Sequence, residues 1–423
     1  MERIELKQII LDQNQERVQN SLVERDVFRT LEKYAGNSFI IIISGIRRSG
    51  KSTLLSQIRA KYPGYYLDFD DERLTHFKLE DFQLLYEVFL ELYGEKQYFY
   101  FDEIQNVPAW ERFVRRLHDS GKKIFVTGSN ASLLSKELGT RLTGRYLDIT
   151  IFPFSFKEFL AFRSISYEDG ERHTTEKKAV LRRAFGEYLV QGGMPEYLKT
   201  NDVDYLKNVY NNILYSDILV RYSLPNERAL KDIVNLATNS IAKQISFNSF
   251  KKAAGLGSST TVKDYFVYLE NSFLIFLVPR FEYSLKKQMY APKKVYVIDT
   301  AIAIHLGYRI SKDSGRLLEN IVFLELRRRK KDIYYSADKK ECDFVIKEGI
   351  TITEAIQVCY DFNDENRERE LEGLSETMTK FKLKKGLILT EDQEDELKVN
   401  GKKVHVLPVW KWLLQESHTT QIA

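Results

Sequence analysis

The chain has 423 residues, 43% of them hydrophobic and 29% charged, with a formal net charge of +4. That length holds about two to four domains of ordinary globular composition, and so small a charge neither demands nor excludes nucleic acid. No apolar run approaches the roughly 18 residues of a membrane span, the start Met1-Glu2-Arg3-Ile4 lacks a signal-peptide core, and Cys342 and Cys359 alone build neither a disulfide framework nor a zinc site, so a cytoplasmic protein without a membrane partner is expected.

Phe39-Ile40-Ile41-Ile42-Ile43 reads as a buried strand, and Thr53-Leu54-Leu55 opens a helix. Between them, Gly45-Ile46-Arg47-Arg48-Ser49-Gly50-Lys51-Ser52 matches the phosphate-binding pattern G-x-x-x-x-G-K-[ST], in the strand–loop–helix setting that gives the pattern meaning. Gly45 and Gly50 let the backbone curl where a Cβ would obstruct it. The loop amides, from Ile46 to Thr53 at the helix start, supply donors for the phosphates. Lys51 reaches the β- and γ-phosphates, and the Ser52 hydroxyl is a ligand for Mg²⁺.

Tyr65 to Phe69 is the next predicted strand, and Phe82, Leu85, Val88, Phe89 and Leu92 share a helix face. Tyr98-Phe99-Tyr100-Phe101 is a strand ending in Asp102-Glu103, the form of a Walker B segment. Asp102 is expected to hold Mg²⁺, and Glu103 to polarise the attacking water as general base. A helix from Trp110 to His118 leads to the strand Lys123–Thr127, whose polar end holds Ser129 and Asn130. These are candidates for sensing the γ-phosphate and, equally, for capping the helix that follows. Arg141 and Arg145 are candidates for neutralising the transferring phosphoryl group, within the chain or from a neighbouring subunit; ordinary surface arginines are the equal alternative. Leu147–Ile151 reads as a fifth strand. Strands alternating with helices predict an α/β fold, a parallel sheet covered on both faces.

This order of elements resembles the AAA+ class of P-loop ATPases. The P-loop run through Leu55, Phe101-Asp102-Glu103-Ile104-Gln105, Thr140 to Tyr146, and Pro153-Phe154-Ser155-Phe156-Lys157-Glu158-Phe159 together resemble a prokaryotic AAA-type ATPase family with a C-terminal domain called DUF4143. Gln191 to Glu196 and Asp217 to Tyr222 are similar to its signatures, so the resemblance covers nearly the whole chain. It implies ATP with Mg²⁺ as cofactors, a preference for adenine, and an AAA+-like core over 1–152, with self-association as a further expectation.

Residues 153–235 read as a helical lid or connector. From 236 to 290, two helices around Gly255-Leu256-Gly257 and a strand from Phe273 to Val278 resemble a winged helix, whose second helix would present Ser259, Thr260 and Lys263 to DNA. From 291 to 423, Glu319, Asp343 and Gln357 resemble the PD-(D/E)xK nuclease pattern, but Cys359 stands where that pattern has a lysine. A nuclease-like domain without cleavage is expected, with Arg327-Arg328-Arg329-Lys330-Lys331 lying either along a phosphate backbone or at a solvated helix end. Two functions follow: an ATPase acting on DNA or a DNA-bound partner, or a nucleotide-controlled protein switch or scaffold.

Overall fold

The computed structural model describes residues 1–15, 23–131, 142, 144–167, 174–306 and 314–415. The chain divides into two units, Met1–Phe152 with Asn271–Phe273, and Pro153–Glu270 with Leu274–Ala423. No helix among the described residues is long and apolar enough to cross a membrane.

In the first unit, β1 (Ile40–Gly45), β2 (Tyr65–Asp68), β3 (Tyr98–Asp102), β4 (Lys123–Gly128) and β5 (Tyr146–Ile151) form one sheet in the order β2-β3-β4-β1-β5. Every neighbouring pair is parallel. Such strands are buried on both faces, which is why β1 reads as continuous isoleucine rather than alternating with polar residues. Successive side chains still go to opposite sides. Ile40 and Ile42 join Phe99, Phe101, Ile124 and Val126 under the helices Arg3–Gln13, Asp81–Tyr93 and Trp110–Asp119. Ile41 and Ile43 join Tyr100 and Phe125 under Leu54, Leu55 and Ile58 of the helix Lys51–Lys61. Each such side chain stabilises the sandwich by about 1.5–3 kcal/mol. The expected AAA+-like core is therefore present, and its strand order sets the carboxyl ends of β1, β4 and β3 side by side.

The second unit begins with helices, including Thr175–Gln191 and Val203–Asn212. The latter passes at Ile213 into a π-helical stretch, Ile213–Val220. Next come the helix Glu227–Thr238, β6 (Gln244–Ile245), the helices Phe247–Ala253 and Ser259–Asn271, β7 (Ile275–Pro279) and β8 (Lys293–Val297). The sheet order β6-β8-β7, with both pairings antiparallel, gives the two helices a winged-helix setting.

The C-terminal part is a further α/β domain. The helix Ser314–Arg328 precedes a six-stranded sheet of β9 (Asp332–Ala337), β10 (Glu341–Glu348), β11 (Thr351–Val358), β12 (Lys385–Thr390), β13 (Asp395–Val399) and β14 (Lys402–Pro408). β9, β10 and β11 form an antiparallel meander, the helix Arg367–Lys380 crosses over, and β12 returns parallel to β11.

Candidate functional site

β1 ends at Gly45, where a Cβ would stand 2.2 Å from the carbonyl oxygen of Ile151 on the adjacent strand. Gly50 has φ +97° and delivers the chain directly into the helix Lys51–Lys61. A left-handed turn and a close backbone approach are the two things glycine permits. The buried Arg25 ties the loop down: its guanidinium donates to the carbonyls of Ser49 and Phe152, each at 2.7 Å.

Lys51 Nζ lies within 3.2–3.3 Å of the carbonyls of Gly45 and Ile46, and 3.2 Å from Glu103 Oε1. Asp102, buried at the end of β3, accepts hydrogen bonds from the hydroxyls of Thr127 and Ser52. Burial raises its carboxyl above the ordinary range against those bonds. Glu103 has left-handed backbone, φ +45°, and donates its N–H to Thr127 Oγ1 at 2.8 Å. Its Oε2 accepts from the Ser129 amide at 3.2 Å and from Gln105. Burial alone would raise Glu103, but Lys51, Gln105 and Arg47 outweigh it and hold the carboxyl below its usual range.

The two acids, the lysine and the polar end of β4 thus meet at one place. Ser52 is exposed there, while Ile46, Ser49 and Asn130 are buried. The hydroxyls of Ser49 and Ser129 have no hydrogen-bond partner among the described residues. Arg47 faces Asp70 at 3.6 Å, Arg48 is exposed at φ +68°, and Thr53 is half-buried in the first helical turn.

Arg145 does not join them. It immediately precedes β5, whose first residue Tyr146 pairs with Ile40, so it lies at the amino edge of the sheet, opposite the P-loop. Its guanidinium is 3.4 Å from Asp119. A finger acting within the chain is therefore corrected for Arg145: six strand residues at about 3.3 Å each separate it from the phosphate end of β1. Arg141 lies outside the described residues, as does the helix that Ser129 and Asn130 were expected to cap.

Three contributors carried no sequence motif. Thr127 bridges both acids, and Arg25 braces the loop from far upstream. Asp68, opposite Asp102 in the β2–β3 register, is pushed up to about 7 by burial and by Asp102. A strand ending in an acid was the one visible signal, and it marks Asp68.

A second cluster lies in the C-terminal domain. Glu319, Asp343 and Gln357 come together, but Cys359 turns away: its thiol donates to the Asp361 carbonyl at 3.0 Å, and burial pushes it up to about 12. The fully buried Lys294 of β8 reaches in instead, 2.9 Å from Glu319 and 2.7 Å from Asp343. The basic run is mostly consumed within its own unit. Arg328 donates to the carbonyls of Pro153 and Phe154, Arg329 binds Glu325 and the Trp412 carbonyl, Arg327 lies over Phe276, and Lys331 pairs with Glu348 and Glu354. It is not a strip along a phosphate backbone.

Residues 37–160 match the family model described as AAA domain. Residues 182–314 match a Domain of unknown function, DUF8612, and not the DUF4143 domain expected over 291–423. The chain is 36% identical over 437 residues to "Uncharacterized protein MJ1544" of Methanocaldococcus jannaschii, covering 97% of this chain and 96% of that protein. It is 29% identical to an uncharacterized protein of Haemophilus influenzae, covering 93% and 99%. Solved structures with similarity include AMPPCP-bound DnaA from Aquifex aeolicus (16% identity, 58% of this chain and 86% of that one, TM-score 0.26). Another is the Aeropyrum pernix ORC1 protein in complex with DNA (12%, 72% and 96%, TM-score 0.32). With its identity to MJ1544 over nearly the full length of both chains, and its P-loop sequence inside a matched AAA domain, this protein belongs to the MJ1544 family of AAA-type P-loop proteins.

Proposed function

We propose that the cradle binds ATP with Mg²⁺, that the chain hydrolyses it, and that turnover is coupled to action on DNA or a DNA-bound partner. The observation that carries the reading is the meeting of Lys51, Asp102 and Glu103 at the ends of β1 and β3. The buried hydroxyls of Ser49 and Ser129, without a partner among the described residues, are donors suited to an anionic ligand. Ser52 and Asp102 would hold Mg²⁺, which neutralises charge on the phosphate oxygens. Lys51 binds and orients the β- and γ-phosphates. Glu103 takes the proton of the water that attacks the γ-phosphorus. Ser129 and Asn130 report the γ-phosphate through the amide contact to Glu103. Arg145 serves only from a neighbouring copy; Arg141 is the other candidate.

The DNA-facing element is the helix Ser259–Asn271, with Thr260 and Lys263 exposed. One observation favours the second reading, a nucleotide-controlled protein switch. The wing between β7 and β8 exposes Tyr283, Leu285, Met289 and Tyr290 at 80%, 70%, 60% and 82%, a grouping typical of protein contacts. Mg²⁺-dependent ATP hydrolysis, measured with and without double-stranded, single-stranded and branched DNA, separates the two. Strong stimulation by one DNA form supports the first. Unchanged turnover without salt-sensitive binding supports the switch.

A further inference from the structure

Gly45-Ile46-Arg47-Arg48-Ser49-Gly50 puts two arginines inside the phosphate loop itself, at positions where the pattern accepts any residue. The structure treats them differently. Arg48 has left-handed backbone, φ +68°, and is exposed. Arg47 is half-buried, and its guanidinium lies 3.6 Å from Asp70 Oδ2.

That contact has a direction. Arg47 follows β1, Asp70 follows β2, and the sheet order puts β4 and β3 between those strands. Three strand spacings of about 4.8 Å each separate them. The Arg47 side chain therefore reaches over the carboxyl ends of β4 and β3, where Thr127, Asp102 and Glu103 stand. It is close enough to act on Glu103: burial raises that carboxyl, and Lys51, Gln105 and Arg47 draw it below its usual range. Two cations of one loop thus converge on the acid proposed to activate water.

The hold of Asp70 on Arg47 is loose. Their separation is beyond hydrogen-bond range, and the side chains are 25% and 50% exposed. Such a pair contributes little stability, and a multiply charged phosphate competes well with one carboxylate for a guanidinium. Asp70 is itself held from another side, its Oδ1 accepting from Asn106 Nδ2 at 3.3 Å. Other arginines are placed for other work. Arg25 is engaged by the carbonyls of Ser49 and Phe152, and Arg145 stands at the opposite edge of the sheet.

We propose that Arg47 is a catalytic residue: its guanidinium passes from Asp70 to the γ-phosphoryl oxygens of ATP bound in the same chain, and neutralises the charge that develops there during hydrolysis. This rests on the reading of the cradle as an ATPase site. In the step, a water oxygen bonds to the γ-phosphorus and its proton passes to Glu103. The bond from the γ-phosphorus to the β–γ bridging oxygen breaks, and its electron pair leaves on ADP. Arg47 keeps its proton throughout, and its planar fork meets two phosphate oxygens at once.

The test uses the full chain with Mg²⁺. Phosphate release is measured under single-turnover conditions, and ADP affinity by titration calorimetry. A wild type without turnover removes the ATPase reading and this assignment with it; with an active wild type, the variants judge Arg47 alone. Arg47→Gln is expected to slow turnover by about 10³-fold. Its ADP affinity is expected to stay unchanged, because ADP carries no γ-phosphate. Arg47→Lys is expected to restore part of the rate, since it keeps the charge and loses the fork. Asp70→Asn, which removes the partner and leaves the guanidinium, is expected to turn over at least as fast as wild type. Mixing Arg47→Gln with Lys51→Ala chains is expected to recover nothing, because each guanidinium serves its own chain. Equal turnover in Arg47→Gln and wild type, weakened ADP binding, or recovery on mixing overturns the assignment. So does a loss in Asp70→Asn as large as that in Arg47→Gln, which would make the pair a structural brace.

Discussion

Lys51 Nζ stands 3.2 Å from Glu103 Oε1, so the P-loop lysine and the second acid at the end of β3 neutralise each other. Both side chains are largely buried, and an ion pair in such a setting resists loss of either member. Under the proposed function, a bound triphosphate would draw the lysine onto its own oxygens. The same event would free Glu103 from the cation that does most to hold its carboxyl below the usual range.

Glu103→Gln tests this exchange. The amide keeps the shape and the reach to Lys51, but it cannot take a proton. Nucleotide binding is expected to persist, and turnover to fall by about 10²–10⁴-fold, measured as phosphate release under single-turnover conditions. Equal turnover in wild type and variant removes Glu103 from the chemistry.

Lys51→Ala removes the attraction for phosphate and leaves Glu103 without its partner. The expected outcome is loss of the thermal stabilisation that Mg²⁺ and ATP give the wild type. A ligand at about 100 times its Kd stabilises by about 2.7 kcal/mol. A variant that still shifts its melting temperature with ATP would move phosphate recognition to the loop amides alone.

Thr127 is the residue whose loss tells most about how the two acids are held. Its hydroxyl donates to Asp102 and accepts from the Glu103 amide. Thr127→Val keeps the β-branched shape but strips both bonds at once. A buried group left unpaired costs about 1–3 kcal/mol. Urea unfolding is expected to show that loss, together with slower turnover. Unchanged stability would mean that both acids find other partners.

The strand, turn and helix around Lys51 were legible because each is local. The isoleucine run, the two glycines and the apolar spacing after Ser52 all sit within one stretch of about 20 residues. The same holds for the acids that end β3. Thr127, Arg25 and Lys294 were not legible, because their roles depend on strand order and on register across the sheets. Nothing in the spacing of Lys294 and Asp343 announces that they meet. Arg145 failed in the opposite way: it sits near the right motif in sequence, but the parallel return of β5 places it at the wrong edge.

The run Gln191-Gly192-Gly193, noted in the sequence only as a signature, is explained by Asp299. Asp299 Oδ2 accepts from the Gly193 amide at 2.6 Å, and Oδ1 accepts from the amides of Ala301 and Ile302. A Cβ on Gly192 would lie 2.2 Å from Oδ1, so the glycine makes room for the carboxylate. Asp299 is fully shielded, and burial pushes it up to about 6 against those three bonds. A raised carboxyl binds its proton more tightly folded than unfolded. Its contribution to stability is therefore complete below its ordinary value near 4 and is lost as pH rises through about 6. Two pH units correspond to about 3 kcal/mol. Asp299→Asn carries no titrating proton there, and it loses the Gly193 bond at every pH. The stability of wild type relative to Asp299→Asn, from urea unfolding, is expected to fall between about pH 4 and pH 6.5 and then level off. A difference that stays flat across that window would mean the three amides fully offset burial, and that Asp299 is an ordinary ionised cap.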